Sequence, residues 1–448
     1  MTPRPRLLAL FAAAALLIAP LPARAAVPTH EPHHGVAPRT GPYAHTPAAG
    51  WAGERLFGRG DDWEPDTAAD PSAPYVYVVT TRYSGNGPLP CKRCDLPAIA
   101  LKVSSDDGAT FGPLRFMPVN TTGGQYDPQI ETDAGGNVYA VWIDGNFRDV
   151  FSKSIDHGQT WSTPVIISRP GGWADHPWLG VSASGQHVYV GFNHAASWVA
   201  QSHDSGTTWL PAVQTSHTPR YFYANGTVVK NNGNVAISQE AYPLGSAFTG
   251  PIFVVVTRSL DGGATFQTVV VDTVKQQPDC TNTGCPHDHY GGMAALASDA
   301  NGTMLLAYSG ALVPKGPQYI FIRTSTDGGI TWTHRLGVSP GGNVIASFPA
   351  VAGTGIGDFR LTWMDDRNGI RRWNTFYRRS TDGGVTWSPG VDISDASAGA
   401  GYVHPSGFEA DYGDYEAVTI MDNGRTFAAW GEGTSYYGPG GTWMNNET

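Results

Sequence analysis

Cysteine, lysine and charge are all scarce in this chain of 448 residues. It has four Cys, only six of its 28 basic residues are Lys, and charged residues make up 15% of the whole. So little charge excludes a solvated disordered chain, and the shortage of Lys and Glu excludes a coiled coil. Acidic residues still outnumber basic ones, 38 to 28, for a net charge of −10, so there is no general electrostatic basis for binding nucleic acid or an anionic membrane. No apolar run reaches the roughly 18 residues that a membrane-spanning helix needs. What is abundant is Gly (56), Pro (34) and aromatic side chains, 50 of Trp, Tyr and Phe together. That balance predicts a turn-dense, aromatic-cored, all-β protein.

The longest apolar run, Leu7 to Ile18, follows Arg4 and Arg6 and precedes Pro20, Pro22 and the small-residue site Ala23-Arg24-Ala25. Twelve residues suit the apolar region of a secretory signal rather than a membrane span, so residues 1–25 are read as a signal peptide and the mature protein as secreted or periplasmic. Removing them takes away three Arg and no acid, leaving 25 basic against 38 acidic residues, or −13. Residues 26–53, rich in Pro, Gly, Ala and His, read as a linker. The four Cys form two local pairs, Cys91 with Cys94 and Cys280 with Cys285. Two short-loop disulfides fit an exported protein; a four-thiolate zinc site and a redox Cys-x-x-Cys are the alternatives.

Self-similarity carries the strongest signal. Six octapeptides share the form Ser-x-Asp-x-Gly-x-Thr-aromatic, starting at Ser104, Ser154, Ser202, Ser259, Ser325 and Ser380. Their spacing of 48 to 66 residues is that of one four-stranded blade of a β-propeller. Gly supplies a positive φ, the Asp, Ser and Thr side chains bond turn amides, and the aromatic starts the next strand. Alternating strands recur near Val76, Val138, Val188, Val235, Met304, Phe359 and Thr426, which makes seven units, with six as the alternative. The seventh is one strand short. The stretch Glu54 to Arg59 is expected to supply it and close the ring, making residues 54–448 a single seven-bladed propeller.

The octapeptides resemble the Asp-boxes, or bacterial neuraminidase repeats, of the sialidase superfamily; Ser325 to Trp332 and Ser380 to Trp387 match the consensus throughout. The resemblance implies Asp-boxes between the third and fourth strands of a blade, on the face away from a carbohydrate substrate. It further implies a glycoside hydrolase, with three arginines clamping a substrate carboxylate, a Tyr and Glu nucleophile pair and an Asp acid/base. Lyases and non-catalytic binding propellers also carry Asp-boxes.

The opposite face would then carry the site. Glu64, Asp127, His176, Tyr223, Tyr290, Phe348 and Tyr415 precede or open the innermost strands and are expected to ring a funnel, with Asp175, His289 and Asp414 beside them. Among these, Glu64, Asp127, His289, Tyr290, Asp414 and Tyr415, with Glu240 and Tyr242 from a second strand, are the candidate catalytic residues, because glycosidases divide acid and base roles between facing carboxylates. Asp175, His176, Tyr223, Arg82, Arg148, Arg220, Arg367 and Arg371 are the candidate substrate-binding residues, Arg being suited to bidentate recognition of a sugar carboxylate. The run Pro286-His287-Asp288-His289 beside Cys285, and the acids Glu409 and Asp411, are possible metal ligands, though no resident metal or cofactor is expected. The function expected is that of a monomeric, secreted, sialidase-like enzyme hydrolysing glycosidic bonds. A uronate-directed polysaccharide lyase using His289 and Tyr290, and a glycan- or protein-binding propeller, are the alternatives.

Overall fold

In a computed structural model of the chain, the first or second residue of a second strand pairs with the serine of its octapeptide, blade after blade. Val76 faces Ser104, Val138 faces Ser154, Val188 faces Ser202, Val235 faces Ser259, Met304 faces Ser325 and Phe359 faces Ser380. One local unit, repeated, therefore sets the register of each sheet. The structure describes residues 47–448 except 59, 85–88, 93, 95, 122, 169–173, 245–249, 278–292, 369–371, 395–399, 402–415 and 436–437. The signal-peptide assignment thus lies outside the described residues, as does most of the linker.

The described residues form no helix, and their strands build the seven antiparallel blades of a propeller, five of them separate four-stranded sheets and the last two bridged into one sheet by the short strand Ala400–Gly401. The innermost strands are Asp61–Ala69, Tyr126–Thr132, Asp175–Val181, Arg220–Val229, Ala294–Ser298, Ala346–Thr354 and Ala417–Ile420, in blades 1 to 7. Blade 7 takes its outermost strand from the N-terminal side, since Arg55 pairs with Met444 and Leu56 with Trp443. That is the ring closure expected of the Glu54 to Arg59 stretch. Phe57, fully buried, packs with Phe427 and Met444 behind this strand, and the Arg55 guanidinium donates to Ala109 O at 2.6 Å and to Asn446 Oδ1 at 2.5 Å.

Each octapeptide folds in the same way. In the first, Ser104 Oγ donates to Asp106 Oδ1 at 2.7 Å, the Gly108 amide donates to Ser104 Oγ at 2.9 Å, and Thr110 donates its amide and hydroxyl to the two Asp106 oxygens at 2.8 and 2.6 Å. The residue before the Gly shares its positive φ, whether it is Asp107, His157, Ser205 or one of Gly262, Gly328 and Gly383. These turns join third to fourth strands. Because neighbouring strands are antiparallel, the starts of the innermost strands and the ends of the second strands lie together on the opposite face.

The core between blades is aromatic. Trp63, Trp142, Trp363 and Trp430 are fully buried, and three of their indoles donate to a carboxylate two residues away: Trp63 to Asp61 (2.6 Å), Trp363 to Asp365 (2.8 Å) and Trp430 to Glu432 (3.0 Å). Such a partner satisfies the one polar atom of an otherwise apolar side chain.

Candidate functional site

Four blades open their innermost strands with the same irregularity. Glu64, Asp127, His176 and Phe348 each precede a proline and hold φ of 57°, 50°, 52° and 56°. The ladders break there, between Trp63 and Asp66, Tyr126 and Gln129, Asp175 and Trp178, and Ser347 and Ala350. A left-handed non-glycine residue costs roughly 1–2 kcal/mol. Bulges that re-aim side chains concentrate at functional sites.

In blades 1 to 3 these bulges, with the start of the innermost strand of blade 4, bring a cluster of acids and phenols together. The Glu64 carboxylate accepts from the Tyr83 hydroxyl at 2.6 Å and from the Asp127 amide at 3.2 Å, linking blade 1 to blade 2. Asp175 of blade 3 accepts a short hydrogen bond from the Tyr221 hydroxyl of blade 4. His176 bonds back across the same seam, Nδ1 to Ala224 O at 2.8 Å. Behind them Asp149, fully buried, has neither carboxylate oxygen in a hydrogen bond. Aromatic rings continue the surface: Tyr126 stacks on Phe147 at 6.0 Å between centroids, and Tyr223 sits 4.8 Å from both Tyr221 and His176.

Burial dominates the electrostatics. It raises the Asp175 carboxyl to about 6, with the nearby Glu64 charge adding to the rise and the Tyr221 bond opposing it. Burial also raises Glu64, against the hydrogen bonds it accepts, and it lifts Asp149 well above the carboxylate range, helped by Asp175 and Asp144. The Tyr221 phenol is pushed far up by burial and by the Asp175 charge, so it stays a proton donor. Burial takes His176 down to about 4, which leaves it neutral at ordinary pH.

The four described candidate arginines are each engaged within their own blade. Arg82 is buried in a bidentate pair with Asp62, at 2.7 and 2.8 Å. Arg148 pairs with Asp144 at 2.6 Å. Arg367 grips Asp365 at 2.7 and 2.5 Å and lies 3.4 Å over the Phe376 ring, and Arg220 lies 3.5 Å over Phe253. Glu240, 2% exposed, faces Tyr223 across the ladder. Tyr242 is packed in the apolar cluster that joins blades 4 and 5, which also contains Tyr223, and Phe348 in another apolar cluster. Arg371, His287, Asp288, His289, Tyr290, Glu409, Asp411, Asp414, Tyr415, Cys280 and Cys285 lie outside the described residues. Cys91 and Cys94 form a disulfide, as the local pairing predicted.

Tyr83, Tyr126, Tyr221 and Asp149 join the site without having been singled out in the sequence. A signal for Tyr221 was available: it stands two residues before Tyr223, hence on the same face of the strand.

No family model matches the chain, and no curated protein matches its sequence. Solved structures do. An ulvan lyase, described as founding a new family of polysaccharide lyases, shares 12% identity over 87% of this chain and 95% of its own, with a TM-score of 0.52. A Hadza microbial sialidase shares 14% over 79% and 74% of the two chains, with a TM-score of 0.45. The intramolecular trans-sialidase from Ruminococcus gnavus shares 14% over 88% and 98%, with a TM-score of 0.42. At such identities the likeness is one of fold alone.

Proposed function

We propose that the chain is an exported carbohydrate-active enzyme that hydrolyses glycosidic bonds at the mouth formed by blades 1 to 4. One observation carries this reading, the hydrogen bond from Tyr221 to Asp175 beside a second buried acid, Glu64. As the phenol oxygen attacks the anomeric carbon, Asp175 accepts the phenol proton, which gives an un-ionised tyrosine its nucleophilicity. Glu64, whose carboxyl burial raises, donates a proton to the departing glycosidic oxygen. Glu64 then takes a proton from water, whose oxygen displaces Tyr221 from the sugar, and Asp175 returns the phenol proton. Asp127 holds Glu64 in place through its amide, while Tyr83 and the Tyr126 and Tyr223 rings give the mouth an aromatic wall of the kind sugars stack on. The basic, apolar and small-residue segments of residues 1–25 support export.

The test is turnover on a panel of sialosides, neutral glycosides and uronate polymers, with reducing ends and unsaturated products read together. New reducing ends without unsaturation are expected, and Tyr221→Phe should lower kcat about 10²–10⁴-fold while far-UV circular dichroism stays unchanged. Unsaturated products would assign the same pair to a uronate lyase, with Tyr221 abstracting the proton. Full activity in Tyr221→Phe overturns the role of the pair, and absence of turnover on every substrate leaves the mouth as a glycan-binding surface.

A further inference from the structure

Below the mouth, on the propeller axis, lies a second set of acids that the proposed hydrolysis does not use. Asp66 of blade 1, Glu131 of blade 2 and Glu416, which leads into the innermost strand of blade 7, line a cavity of about 90 Å³ bounded by the innermost strands of all seven blades. Its walls from blades 5 and 6 are apolar, with Met293, Leu296 and Val351 among them. Among the described residues that line it there is no Lys, Arg or His.

The charge there is uncompensated. Glu416 is 4% exposed, and neither of its oxygens is in a hydrogen bond; the Thr362 hydroxyl approaches without completing one. Asp66 accepts one bond, from the Ile130 amide at 2.7 Å. Buried carboxylates in this situation take up protons or hold a cation, since ionised and unpaired they cost several kcal/mol each. Among the described residues no three His, Cys, Asp or Glu side chains gather closely enough to hold a metal ion. Three acids spread around an axis, with an apolar wall beside them, suit an ammonium group instead: it has three N–H donors and carries an alkyl chain.

We infer that the axial cavity binds a small organic cation bearing a primary ammonium, held by Glu416, Glu131 and Asp66 with its alkyl part against Met293 and Leu296. Among the described residues, the titratable groups facing it are those three acids. Burial raises Asp66 to about 7 and Glu131 to about 8, so without the cation they carry protons near neutrality. Binding therefore releases protons and strengthens as pH rises.

Calorimetry of the mature protein with ethylammonium and putrescine, at about pH 6 and about pH 8.5 and in buffers of different ionisation heat, tests this. Binding at the higher pH with net proton release is expected, at least about tenfold tighter than at the lower pH. Glu416→Gln should abolish it and Glu131→Gln weaken it, both with an unchanged circular dichroism spectrum; should Glu416→Gln fail to fold, Glu131→Gln carries the test. Tyr221→Phe should leave binding intact, which separates this site from the hydrolytic one. No heat from either amine at the higher pH, equal binding by both variants, or binding of calcium or sodium chloride but not of amines would overturn the inference.

Discussion

At the scale of single residues, the mouth is organised by pairs that each span a seam between blades. Tyr221 with Asp175, and the Asp127 amide with Glu64, join neighbouring sheets at the points where the innermost strands bulge. Such pairs convert the geometry of the ring into chemistry, because each forms only once neighbouring blades are docked. The proton balance yields a prediction. Hydrolysis needs Asp175 ionised, so kcat/KM should rise with pH through about 6, where Asp175 titrates. A pH–rate profile checks this; activity that is flat from pH 5 to pH 7 would remove Asp175 from the mechanism. His176, neutral down to about pH 4, contributes no limb in that range.

At the scale of the element, the octapeptide turn is the unit that the chain repeats, and its aspartates are structural acids. Asp156, Asp261 and Asp382 are held at about 2 by hydrogen bonds from Thr160, Thr265 and Thr386 respectively. A carboxyl whose folded pKa is depressed adds stability that is fully present above its unfolded value of about 4, and that stability is lost as pH falls toward 2. Replacing Asp156 by Asn should lower Tm by a few degrees at pH 7 and narrow the gap to the native chain as pH drops from about 4 to about 2, followed by scanning calorimetry. Everything this turn needs lies within eight residues, which is why six blades and their register were legible in the sequence. The Tyr221–Asp175 pair was not. Its partners are 46 residues apart and meet only through the ring. By the same logic Tyr242, which the sequence places near Glu240 at a strand end, packs in the seam between blades 4 and 5.

At the scale of the molecule, a propeller is stable only if its last blade is complete, since an unclosed ring leaves a strand edge and two blade faces in water. Here closure rests on a short segment. Trp51, 6% exposed, meets Tyr377 edge-on at 5.0 Å, Leu56 and Arg55 pair with the last long strand, and Phe57 is sealed between blades 1 and 7. Phe57 therefore reports on closure better than any residue of the mouth. Its replacement by Ala removes a fully buried ring at the seam, and the loss should come to about 3–5 kcal/mol. If the ring closes as a unit, that loss appears as one cooperative transition at lower temperature, with Trp51 and Trp443 exposed to solvent in the same step. Intrinsic fluorescence and calorimetry on Phe57→Ala would then coincide. An earlier, separate fluorescence transition would instead mean that blade 7 opens while blades 2 to 6 stay folded, and that the N-terminal strand latches a ring already stable without it.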